Sequence, residues 1–145
     1  MTNFMKPLKI IDNLYLGDHN SAKNIELLKK FKIIAIINIS GGKMLFQSEI
    51  KYLRINMPDS DKSKITDHLD EAVKFISDHI KNGAVLVHCH AGMSRSPSFI
   101  VAYLARKNQM TVDDALLHVK KCRPAIRPKD KFIEEIKLWL IKLNC

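Results

Sequence analysis

Cysteine is scarce in this chain: Cys89, Cys122 and Cys145 are the only three in 145 residues. An odd, sparse set speaks against a disulfide framework and fits a reducing compartment; the cytoplasm is the expectation, with the nucleus as a second location. Long apolar runs are missing too. The longest stretches, such as Ile33 to Ile39, are far too short to span a bilayer. Met1 to Lys6 has no basic stretch followed by an apolar run, so no signal peptide is expected there. Thr2 stands where N-myristoylation requires Gly, and Leu143-Asn144-Cys145 is not a prenylation box, so no membrane anchor is expected either. Acidic residues are the minority, 15 against 24 Lys and Arg, which leaves a formal net charge of +9. Such an excess is either a solvated lysine-rich surface or a field that steers an anionic substrate. It would also admit nucleic acid, but no aromatic-basic interleaving or nucleic-acid motif accompanies it, so no such partner is expected. Repeats, low-complexity stretches and linkers are absent as well. One domain over residues 1–145 is the expectation, and nothing in the sequence fixes its oligomeric state.

Strand and helix patterns alternate along the chain. Leu8 to Ile11 and Leu14 to Leu16 read as short strands around an Asp12-Asn13 turn. Ser21 is the expected cap of a helix running to about Phe31. Ile33 to Ile39 is a β-branched run suited to a strand buried on both faces and broken by Gly41-Gly42. Tyr52 to Met57 is a further strand, stopped by Pro58. Leu69, Val73, Phe75, Ile76 and Ile80 carry a helix from Thr66 to Ile80, ended by Asn82-Gly83. Ala84 to Val87 is a short apolar strand aimed at His88-Cys89, and a helix begins near Ser96 with Pro97 in its first turn. Thr111 and Asp114 make a capping box for the next helix. A last helix runs from about Lys129 to Leu143, with Phe132, Ile136, Trp139, Leu140 and Leu143 as its apolar face. The alternation predicts an α/β fold with a central, twisted, mainly parallel sheet of about five strands flanked by helices. In such sheets ligands gather at the carboxyl ends of strands, which is where Cys89 falls.

The informative string is His88-Cys89-His90-Ala91-Gly92-Met93-Ser94-Arg95-Ser96. Cys followed six positions later by Arg is weak alone; H-C-x-x-G-x-x-R-S between a buried strand and a helix is specific. The intervening residues, His90, Ala91, Gly92, Met93 and Ser94, can curl around one phosphate with their amides turned inward as an anion nest. Gly92 permits backbone angles closed to other residues. The following helix brings its positive end to the same anion. Arg95 adds a planar fork for two phosphate oxygens. These positive groups together favour the thiolate of Cys89, the form that acts as a nucleophile. His88 faces no evident substrate proton and reads as a brace behind the loop. His90 reads as an edge of the pocket; it has no partner at metal-ligand spacing, so no metal is expected. Displacing an alkoxide or phenoxide also requires a proton donor from a separate loop, and the acidic candidates are Asp59 and Asp61.

This string resembles the active-site loop of the dual-specificity protein phosphatases. So do Asn13-Leu14-Tyr15-Leu16-Gly17, Tyr52-Leu53-Arg54-Ile55, Ala102-Tyr103-Leu104 and Arg123-Pro124, which spread the resemblance over essentially the whole chain. It is nearest the small, atypical, single-domain members. The resemblance implies Cys89 as nucleophile, Arg95 and the loop as phosphate grip, and Ser96 as the hydroxyl that eases the thiolate's departure. It implies Asp59 as the acid, just after a strand and nine residues before His68, leaving Asp61 to loop geometry. It implies phosphorylated proteins as substrates and no metal or organic cofactor. One departure is visible: the family often has Asn after the Pro preceding the final helix, where it braces the loop, and this chain has Lys129 after Pro128.

Two other classes stay open. A phosphate-binding pseudoenzyme would usually have lost the Cys or the Arg, and both are present. A phosphatase of non-protein phosphates often has a Lys or a second Arg inside the loop, and this loop has neither.

Overall fold

The computed structural model describes residues 6–40 and 42–143; of the readings above, those on Met1 to Met5, Gly41, Asn144 and Cys145 lie outside them. The chain starts with an antiparallel hairpin of Leu8–Ile11 (β1) and Leu14–Gly17 (β2), its turn made by Asn13 at φ 66, a left-handed angle that Asn tolerates. The first helix corrects the sequence reading. Ser21 opens only a 3₁₀ turn, Ser21–Lys23. The α-helix is Ile25–Lys30 (α1), capped by Asn24, whose side chain accepts from the amides of Glu26 and Leu27 at 3.1 and 3.2 Å. Ser21 is not free to cap because it is bound inward: its hydroxyl accepts from the Asp18 amide at 3.0 Å, and its own amide donates to the Asp18 carboxylate at 2.9 Å.

Ile33–Ile39 (β3) is the strand its β-branched run predicts, and Lys51–Ile55 (β4) follows. Strand pairing of β4 stops two residues before Met57, whose amide turns instead to the Ser40 hydroxyl at 2.9 Å. Thr66–Ile80 (α2), Ala84–His88 (β5), Arg95–Lys107 (α3), Val112–Cys122 (α4) and Asp130–Leu143 (α5) complete the chain. Thr111 caps α4 by accepting from the Asp114 amide at 3.0 Å.

The strand order is β1-β2-β5-β3-β4, with β1 antiparallel and every other pairing parallel. The buried strands β3 and β5 show why apolar runs rather than alternation mark them. Ala35, Ile37, Ile39, Val85 and Val87 point to one side, into a core shared with α2 to α5. Ile33, Ile36, Ala84 and Leu86 point to the other, against Leu28 of α1. On α5, Phe132, Ile136 and Trp139 are buried, and the Trp139 indole donates to Asp70 of α2 at 2.8 Å. Leu143, expected on that face, is exposed, as are Leu138 and Ile141. Among the described residues, no helix is long and apolar enough to cross a membrane.

Candidate active site

β5 lies between β2 and β3, with Gly17 and Asn38 both paired to His88. The chain therefore leaves the sheet at Cys89 with a parallel neighbour on each side, at the carboxyl edge where α/β folds hold ligands. Gly17 is required by this packing: a Cβ there would sit 2.3 Å from the Ser21 hydroxyl and 2.9 Å from Leu86. From Cys89 the loop turns through Gly92, at φ 70, and enters α3 at Arg95. The free amides of the first turn of α3 thus face the loop.

The Cys89 sulfur is buried and has two polar neighbours, the Gly92 amide at 3.2 Å and the Ser96 hydroxyl at 3.2 Å. Ser96 is fully buried, so its hydroxyl has little alternative to this contact. His88, also buried, donates from Nδ1 to the Cys89 carbonyl at 3.4 Å. Loss of hydration drives its pKa down to about 4, with the bond to the Cys89 carbonyl and the charge of Asp18 opposing. The ring is therefore neutral at physiological pH. His90 and Ala91 are exposed at the rim.

The loop is pinned from outside at successive residues. The His90 carbonyl accepts from His19, from the main-chain amide at 3.2 Å and from Nδ1 at 2.9 Å. The two imidazoles stack with centroids 4.3 Å apart and planes 6° from parallel. The Met93 carbonyl accepts from the Arg127 amide at 2.6 Å, and the Ser94 hydroxyl accepts from the Lys129 amide at 3.3 Å. The Ser94 carbonyl accepts from the Ser98 hydroxyl at 2.7 Å. Lys129, where the family often has Asn, thus reaches the loop through its main chain, a contact that does not depend on the side chain.

Arg95 donates from Nη1 to the Met57 carbonyl at 3.1 Å. The same residue is held by Ser40, whose hydroxyl accepts from the Met57 amide at 2.9 Å and lies 3.2 Å from its carbonyl. Ser40 takes φ 52 to do this. Nothing in the sequence announced Ser40, because a left-handed Ser before two glycines reads simply as the end of a strand. Two residues after Met57 comes Asp59, exposed and, among the described residues, without a hydrogen-bond or ion-pair partner. Asp61, also exposed, lies 3.9 Å from the Lys129 ammonium. His68 sits inside α2 and pairs with Glu71 at 3.5 Å. Cys122 carries no disulfide, and burial raises its thiol pKa. Among the described residues, no cluster of three His, Cys, Asp or Glu is arranged to hold a metal ion.

The family profile "Dual specificity phosphatase, catalytic domain" matches residues 14–142. A tyrosine phosphatase candidate of Invertebrate iridescent virus 6, 123R, is 37% identical over 145 residues, covering 97% of this chain and 98% of its own. Mouse dual specificity protein phosphatase 19 is 35% identical over 88% of this chain. The chain spans 59% of that mouse protein, and 19% and 28% of two relatives from Dictyostelium discoideum. In structure, it is similar to the human tyrosine phosphatase-like serine/threonine/tyrosine-interacting protein: TM-score 0.92, 28% identity, 98% of this chain and 100% of that one.

Proposed function

The chain belongs to the dual specificity phosphatase family, and from that footing we propose that it hydrolyses phosphate monoesters of Tyr, Ser and Thr on proteins through a phosphocysteine intermediate. The observation that carries the reading is the surrounding of one sulfur. The Gly92 amide and the Ser96 hydroxyl converge on Cys89 Sγ at 3.2 Å each, in a loop that ends on Arg95 at the start of a helix.

In the first step, the Cys89 thiolate attacks phosphorus opposite the leaving oxygen. The S–P bond forms, the P–O ester bond breaks, and Asp59 gives its proton to the departing alkoxide or phenoxide. The amides of the loop and the Arg95 fork bind the equatorial oxygens, whose charge they meet most strongly in the transition state. In the second step, Asp59, now a carboxylate, takes a proton from water as the water oxygen attacks phosphorus. The S–P bond breaks, and the Ser96 hydroxyl donates a hydrogen bond to the leaving thiolate. Inorganic phosphate is released and Asp59 is protonated again. The loop interior, with no Lys and no second Arg, supports phosphoprotein over phosphoinositide substrates.

A second reading has one observation in its favour: the human structural relative is described as an interacting protein. In that reading the cradle binds phosphorylated partners without turnover. The retained Cys89 and Arg95 support catalysis instead. The test is the purified protein on phosphotyrosine, phosphothreonine and phosphoinositide substrates, with chelator present. Release of phosphate from phosphopeptides, lost in Cys89→Ser, is expected. Binding without release would replace the enzymatic reading with the interacting one.

A further inference from the structure

Beside the phosphate loop lies a cavity of about 330 Å³ that the chemistry above does not use. Its position follows from the topology. The segments leaving β2 and β3 rise on either side of β5, and the space between them opens next to the residues that flank Cys89. His88 and His90 form its inner wall, His19 and Lys23 one side, and Ser40 and Lys43 the other, with Leu45 supplying apolar surface.

Three features mark this cavity as receptive to an anion. No Asp or Glu lines it. Lys23 and Lys43 are exposed and, among the described residues, neither is paired with a carboxylate. The walls are also pinned. His19 is tied to the His90 carbonyl through two nitrogens, at 2.9 and 3.2 Å. Opposite, the Gly42 carbonyl next to Lys43 accepts from Arg54 and from the buried Asn38 amide group, the latter at 3.2 Å. The two ammonium groups are thus exposed tips beside pinned backbone, set about a pocket that is partly apolar. A side chain with a carbon stem and an anionic end fits that description; a bare ion uses only half of it.

The cavity wall contains the residues immediately before and after the nucleophile. Successive Cα atoms lie about 3.8 Å apart, so an extended peptide whose phosphorylated residue occupies the Cys89 loop brings a side chain two or three positions away within reach. We propose that this cavity is a specificity subsite that takes a second anionic side chain, a phosphorylated residue or a carboxylate, from the same substrate polypeptide, with Lys23 and Lys43 as its charge partners. The inference rests on the proposed phosphatase reading for its substrate but not for its charge. A phosphorylated side chain, with about 1.5 to 2 negative charges, should gain more than Glu with one.

The experiment measures kcat/KM on a set of phosphopeptides that differ only at positions two and three residues to either side of the scissile phosphoresidue. Those positions hold Gln, Glu or phosphoserine. Parent enzyme is expected to favour the Glu peptide by about threefold and the phosphoserine peptide by about tenfold over Gln, the worth of one or two exposed ion pairs. The preference should shrink as salt rises, and should collapse toward unity in Lys23→Gln/Lys43→Gln. Equal rates on all peptides, or a preference that survives the double substitution, would overturn the subsite. So would a double variant that keeps the peptide preference but loses turnover of a soluble inositol phosphate, since the cavity would then belong to a lipid headgroup. Should the parent protein turn over none of these substrates, the phosphatase reading fails by itself. The peptide ratios are then read from equilibrium binding to the Cys89→Ser protein, where the same preference and its loss decide the subsite.

Discussion

The loop after Cys89 and the segment that carries Asp59 meet at the contact between Arg95 and Met57 and are built in opposite ways. The loop from His88 to Ser96 is anchored at His90, Met93, Ser94 and Arg95 by partners from three other parts of the chain. The segment after β4 is held at Met57 and again at Ser63, whose hydroxyl donates to the Pro58 carbonyl at 2.6 Å and whose carbonyl accepts from Lys131. Between those ties Asp59 stands exposed and unpartnered among the described residues. The contrast follows from the work proposed for each. Fixed dipoles stabilise developing charge because they need no reorganisation when it appears. A group that donates a proton in one step and accepts one in the next has to meet two different oxygens, so freedom at its tip is no defect.

The comparison can be broken most severely at the nucleophile. Cys89→Ser should lower turnover by at least about 10⁴-fold while the remaining amides and Arg95 still bind a phosphorylated ligand. Single-turnover kinetics together with a binding isotherm checks both halves, and turnover within tenfold of the parent would remove Cys89 from its role.

The acid comes next. Asp59→Asn should slow hydrolysis of alkyl phosphates by roughly 10²–10⁴-fold, and by less when the leaving group is an activated phenolate that departs without a proton. Asp61→Asn should alter neither series much. If the leaving-group dependence follows Asp61 instead, the two carboxylates exchange roles.

His88 sharpens the rigid side of the contrast. Its folded pKa of about 4 lies below the ordinary histidine value of 6.5, so the unfolded chain binds the proton more readily. Stability from this residue is complete above about pH 6.5 and is lost as pH falls toward 4, to a total of about 3 kcal/mol at most. Chemical denaturation across that window should show a slope that His88→Gln lacks. An identical slope in both proteins would place the acid sensitivity elsewhere.

The smallest effect belongs to Ser40. Ser40→Ala leaves the Met57 amide without its acceptor and should cost about 1–3 kcal/mol of stability. Ser40→Gly loses the same bond but accepts φ 52 freely, so it should melt no lower than the Ala variant. Equal melting of the Ala variant and the parent would show that the bond does nothing.

Much of this arrangement is legible in the sequence. The spacing of Cys89 and Arg95 is local, and the apolar run of β5 points straight at it, so sequence patterns reached the phosphate loop. They failed where a side chain is used by something distant or unexpected. Ser21 has a capping residue's chemistry, yet Asp18 claims it, and Asn24 caps α1. Met57 belongs by composition to β4, yet Ser40 takes its amide. The cavity flanked by Lys23 and Lys43 joins residues from two loops that only the strand order brings together. Lys129 marks a departure in sequence that the fold meets with a main-chain bond.

One bond described above sets a tolerance. Met57 and Arg95 are 38 positions apart along the chain, and a path through that much backbone accumulates the jitter of every residue in it. The 3.1 Å contact between the Met57 carbonyl and the Arg95 guanidinium bypasses the path. The gap between the residue assigned to grip phosphate and the backbone that presents Asp59 then fluctuates with one hydrogen bond and two peptide units. Under the proposed roles, a guanidinium that follows its phosphate would carry that backbone along with it, so alignment would be set by a short tie and not by the stiffness of the whole sheet.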